Sequence, residues 1–126
     1  MSSDYDMELF KLKAEMSKLF SDPKRLMIIN ELRNGEKQVG ELAQALKIPQ
    51  AVVSRQLALL RNGNVVTPRR DGTNVYYSLT DLKIIEACDM VHQVLLNQLA
   101  KNREFAENLF NRISADVSLN KDTGLQ

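Results

Sequence analysis

Gln50, Ala51, Ser54, Arg55 and Ala58 recur at helical spacing and share one face, and each is either small or able to hydrogen-bond. Such a face can enter a DNA major groove. Glutamine pairs with adenine, arginine with guanine and serine with a base or a phosphate, whereas bulky apolar groups would collide with base edges. A second group, Arg69, Arg70, Thr73 and Asn74, gathers around Asp71-Gly72, where it can reach phosphates or the adjacent minor groove. Spacing alone leaves open a plainer reading, a solvated polar face on a small α+β domain.

These residues need a scaffold. Val53, Leu57 and Leu60 fall on the opposite face of the helix predicted over 50–62, which Pro49 starts and Gly63 ends. A short helix over 40–47 precedes it, with Leu42, Ala43 and Leu46 inward. Earlier still, Asp22-Pro23 separates two helices: Asp22 can cap the second, and Pro23 sits where a missing N–H does no harm. Leu26, Ile29 and Leu32 are that helix's apolar face and Gly35 its stop, while Leu9, Leu12, Met16, Leu19 and Phe20 stripe the first helix. Beyond Gly63, extended segments over 65–69 and 74–79 flank Asp-Gly, a strong hairpin signal. A long helical pattern then runs from Thr80 or Asp81 to about Ile113. The order predicts a mainly α (α+β) fold, a winged helix-turn-helix with a two-stranded wing and a long C-terminal dimerisation helix. One domain is expected over 1–117, followed by a flexible polar tail over 118–126.

Composition is that of a small globular protein. The 126 residues, 44% hydrophobic and 26% charged, are enough for one modest core. The net charge of +1 conceals a segregation: residues 47–77 carry +4, while 1–22 and 78–126 carry −2 each. A basic middle between acidic ends suits one positive surface facing an anionic partner. The longest apolar runs, Leu26 to Ile29 among them, are too short to span a bilayer, and the acidic N-terminus is unlike a signal peptide. With one cysteine, no intrachain disulfide can form, so a reducing, cytoplasmic setting without membrane contact is expected.

Three blocks in order resemble the arsenic-repressor (ArsR) family of transcription regulators over about residues 8 to 100. Ser21-Asp22-Pro23-Lys24-Arg25-Leu26-Met27-Ile28-Ile29 resembles its second helix. Val39-Gly40-Glu41-Leu42-Ala43, Gln50-Ala51-Val52-Val53-Ser54-Arg55-Gln56-Leu57 and Leu60-Arg61-Asn62-Gly63-Asn64-Val65-Val66 resemble its helix-turn-helix. Residues Arg69 to Leu79 are similar to its wing. The resemblance implies a homodimeric repressor that binds an inverted-repeat operator in double-stranded DNA and releases it on a signal. The effector is unknown. Gln56 stands where members often have His, which implies an altered base preference and adds Gln56 to the DNA-binding set. Asn64 replaces a usual apolar residue, which implies a looser exit from the recognition helix.

Metal-sensing members of that family use a Cys-x-Cys at the third helix, where this chain reads Gln38-Val39-Gly40-Glu41-Leu42, or an Asp-x-His on the fifth helix paired with a later His. Here Asp89-Met90-Val91-His92 is one residue too long and there is no second histidine, so neither a metal site nor any cofactor is expected. Ile85, Cys88, His92, Leu95, Leu99, Asn102, Ala106, Leu109 and Ile113 form a heptad seam, a natural dimer surface joined by Leu9, Leu12 and Met16 of the first helix. Across a two-fold axis, paired Cys88 and His92 could bind metal or form an interchain disulfide. The preferred reading is a packed cysteine and a hydrogen-bonded histidine.

An enzyme is not expected: there is no Gly-rich phosphate loop, and the single His lacks an evident nucleophile partner. Two alternatives remain, a multiple-antibiotic-resistance-type (MarR) regulator responding to a small ligand and a protein-interaction module for an acidic partner.

Overall fold

The computed structural model describes the backbone of residues 3–124 and the side chains of residues 6–116. The chain divides into two units, Met1–Glu86 and Ala87–Gln126.

In the first unit, helix α1 (Ser3–Lys18) leads through a turn to α2 (Pro23–Glu31). Asp22 Oδ1 accepts from the backbone N–H of Lys24 at 2.8 Å and of Arg25 at 3.3 Å, satisfying donors that a helix start leaves open, and Pro23 follows as the first helical residue. A 3₁₀ turn over Leu32–Asn34 carries α2 to Gly35, whose φ of 136° only glycine adopts readily. Helix α3 (Val39–Leu46) opens with a capping box in which Glu41 Oε1 accepts from the Gln38 N–H at 3.0 Å. Lys47 closes it in the left-handed region, and Pro49 starts α4 (Gln50–Asn62) with the bounds expected from the sequence.

The sheet has three strands rather than two. Strands β2 (Val66–Asp71) and β3 (Asn74–Leu79) form the hairpin, with Asp71 opposite Asn74 and Gly72-Thr73 as a two-residue connection. Gly72 holds φ at 63°, as a tight hairpin requires. Strand β1 (Lys37–Gln38) adds to the other side of β3, giving the order β1-β3-β2. Two residues, Lys and Gln, show too little alternation to announce a strand. Strand β2 is an edge, which is where Pro68, lacking a backbone donor, is tolerated.

Ile28, Ile29, Leu32, Leu42, Val53, Leu57, Leu60, Val65 and Val66 are almost fully buried and make the core. Each such burial contributes about 1.5–3 kcal/mol relative to an exposed side chain. Leu26, expected on the apolar face of α2, stays 39% exposed, and Ile28 packs inward in its place. Asn64 does not loosen the exit of α4. It sits at φ 60°, a conformation asparagine tolerates better than most residues, while Val65 N–H still bonds Leu60 O at 2.9 Å.

The expected single long helix is two. Helix α5 (Lys83–Lys101) begins at Asp81, whose Oδ1 accepts from the Lys83 N–H at 2.9 Å. Helix α6 (Arg103–Gly124) follows after a break at Asn102. The heptad spacing makes Asn102 a polar position within the seam. Its side-chain oxygen instead accepts from the Phe105 N–H at 3.2 Å and caps the new helix. The tail expected over 118–126 lies outside the residues whose side chains are described, and the backbone there is helical to Gly124.

Candidate nucleic-acid interface

Helices α3 and α4, joined by the turn at Lys47–Pro49, make a helix-turn-helix whose second member is held from behind. Val53, Leu57 and Leu60 bury its inner face, leaving Gln50, Ala51, Ser54, Arg55 and Ala58 exposed on its outer face. That division follows from the 3.6-residue period. The outward groups are small side chains, amide and hydroxyl groups, and one guanidinium, so the face can approach base edges closely and still bond to them.

Gln56 belongs to the inner side. It is only 8% exposed, and its Oε1 accepts from Arg25 Nη1 at 3.0 Å. Gln56, expected to reach DNA, therefore has its amide oxygen engaged within the fold and little of its side chain exposed. Arg25 has further bonds. Nε donates to Leu19 O at 2.9 Å and Nη2 to Lys18 O at 3.1 Å, carbonyls at and just past the end of α1. One guanidinium thus ties the exit of α1 to the middle of α4. Leu19 also packs on Gly63 at the end of α4, where any Cβ would overlap its Cδ1.

On the hairpin, Arg69, Arg70, Thr73 and Asn74 are all exposed. Arg69 is nevertheless engaged. Its Nε donates to Glu36 Oε2 at 3.0 Å and its Nη2 to Glu36 Oε1 at 2.5 Å, and its guanidinium lies 4.8 Å from the centroid of the Tyr76 ring. The hydrogen bond from Arg69 holds the Glu36 carboxyl below the usual carboxylate value, aided by the attraction of opposite charges and partly opposed by desolvation. The same bond raises Arg69. Sequence offered no route to this pair, whose members stand 33 residues apart.

Of the residues expected at a dimer surface, Leu9, Leu12 and Met16 are exposed along α1. Ile85 is 9% exposed and counts among the buried apolar residues of the first unit. Along α5, His92 and Leu95 are exposed while Cys88 and Leu99 are half-buried. Among the described residues, no three His, Cys, Asp or Glu side chains gather as a metal site, and no helix is long and apolar enough to cross a membrane.

The family described as "Bacterial regulatory protein, arsR family" matches residues 22–67, from the cap of α2 into β2. The chain is similar to the biofilm growth-associated repressor of Xylella fastidiosa (strain Temecula1), 35% identical over 85 residues that span 68% of this chain and 75% of that protein. Among solved structures, Rv0081 of Mycobacterium tuberculosis is 35% identical with a TM-score of 0.68, covering 75% of this chain and 95% of that one. The homodimeric winged helix-turn-helix DNA-binding domain Mb0332 of Mycobacterium bovis, a possible ArsR-family regulator, is 28% identical with a TM-score of 0.69, covering 78% of this chain and 91% of that one.

Proposed function

The chain belongs to the arsR family of bacterial regulatory proteins, and we propose that it is a homodimeric transcriptional repressor that reads an inverted-repeat operator through α4 and steadies itself on DNA through its wing. The outward face of α4 carries this reading: Ser54 and Arg55 project from a helix whose other side is locked into the core. Arg55 reads a base edge, and Arg70 meets a phosphate. A symmetric dimer places two such helices about 34 Å apart, one turn of DNA, which matches two half-sites. Each unit by itself leaves an apolar helix face open to a second copy, Leu9, Leu12 and Met16 on α1 and Leu95 with Val91 on α5. The protein acts without an enzymatic step, in the cytoplasm, and needs no metal to bind DNA.

Selection of bound duplexes from a random pool, followed by titration of the winner against salt, tests this. The expected result is an inverted repeat and an affinity that falls steeply with salt as counterions are released. Enrichment of no sequence, or affinity indifferent to salt, would overturn it.

A further inference from the structure

We propose that Glu36 is a built-in competitor of the DNA backbone for Arg69, setting the wing's affinity below what its basic residues allow. The inference rests on the DNA-binding reading and extends it to a residue outside the helix-turn-helix.

The sheet makes the geometry. Gln38 on β1, Tyr76 on β3 and Arg69 on β2 are cross-strand neighbours in one row, and residues two apart on a strand share a face. Glu36 therefore continues the line of Gln38, just before β1. Arg69 reaches from the edge strand across the Tyr76 ring to the far side of the sheet and meets the carboxylate there. The two bonds use Nε and Nη2, the guanidinium edge that also takes two oxygens of a phosphate. Carboxylate and phosphate cannot occupy that edge together.

Exchange is easy on energetic grounds. Arg69 keeps 53% and Glu36 37% of their side-chain exposure, so the pair is a surface ion pair, which contributes little on its own. A DNA phosphate arrives with neighbouring charges and releases counterions, advantages that a single carboxylate lacks. Once Glu36 is displaced, its own negative charge remains near the duplex and opposes binding. Tyr76 keeps the guanidinium seated on the wing during the exchange, because the attraction of a cation to a ring face does not depend on the anion. Arg70, one residue on, lies on the opposite face of β2.

The test measures binding of the full chain to a fluorescent duplex of mixed sequence over a range of salt. Glu36→Gln should bind about five- to tenfold tighter, with a log–log salt slope steeper by about 0.9, one more phosphate contact. Glu36→Ala should move the same way, which separates the effect from any bond the new amide makes. In an Arg69→Ala background, Glu36→Gln should change affinity by less than about twofold, because the competitor then has nothing to hold. Glu36→Gln binding no tighter than wild type would overturn the proposal and make Arg69–Glu36 a brace for the wing. An equal gain with and without Arg69 would also overturn it, as a general charge effect. Wild type that binds no duplex at any salt would overturn the DNA-binding reading itself.

Discussion

The guanidinium of Arg25 and the side-chain amide of Gln56 meet at 3.0 Å from positions 31 residues apart, and this single bond joins α2 to α4. Because Arg25 also holds the last carbonyls of α1, the orientation of α4 and the exit of α1 share one anchor.

Replacing the acceptor should be felt in stability. Gln56→Leu leaves Arg25 its two carbonyls but removes a charged hydrogen bond, at a cost of about 1–3 kcal/mol in urea unfolding. Gln56→His restores an acceptor nitrogen and should recover much of that loss. Operator affinity of Gln56→His close to wild type, after the stability difference is accounted for, would agree with a Gln56 that positions the helix without touching a base.

Gly63 matters for space and not for backbone freedom: its φ is an ordinary −88°, and a Cβ there meets the Leu19 side chain as it now lies. Gly63→Ala pushes a methyl into Leu19 and should lower stability by about 1–3 kcal/mol, the cost of overpacking. Leu19→Ala in the same chain should give part of it back, a coupling that a double-mutant cycle reads directly.

Two arginines should lose binding in different ways. Arg55→Ala should cost about 1–3 kcal/mol on the operator and relax the preference at one base pair. Arg70→Ala should weaken every duplex alike and flatten the salt slope by about one unit. Identical, sequence-independent losses would count against Arg55 as a base reader.

The dimer can be tested from α5. Leu95 is 52% exposed in the single chain, a large apolar group at the water surface. Leu95→Glu would bring two carboxylates together across a two-fold axis, and sedimentation should show monomers or a much weaker dimer. A dimer unchanged by this substitution would move the interface elsewhere.

Glu36 should report its pairing through its own titration. Its carboxyl is held below the ordinary value of 4.5 by the bond from Arg69, and a depressed acid stabilises the fold fully above that value and progressively less as pH falls below it. Carboxyl-detected NMR should place the Glu36 midpoint under 4.5, and Arg69→Ala should return it upward. The pair therefore stays formed through the neutral range.

Much of this was legible in the residues. The bounds of α4, the cap at Asp22 and the Asp-Gly turn are local events, decided within a few residues by periodicity, side-chain acceptors and glycine. What sequence could not show depends on distant partners. Gln56 sits one position before Leu57 and by type belongs to either face. Its spacing from Val53 and Leu60 turns it inward, but the partner that satisfies its amide oxygen, Arg25, is brought alongside only by folding. Glu36 and Arg69 are joined by a sheet whose third strand is two residues long. At Asn102 the heptad spacing continued without interruption, and a side-chain cap outweighed it.

Pro68 bears on how the protein behaves when crowded. A wing that must stand away from its domain to meet DNA carries an open strand edge, and such edges recruit strands from neighbouring molecules. At Pro68 that edge lacks a donor, and Arg70 nearby adds a charge that repels an identical approaching edge. The outer edge of the hairpin is thereby a poor template for a strand from a neighbouring molecule.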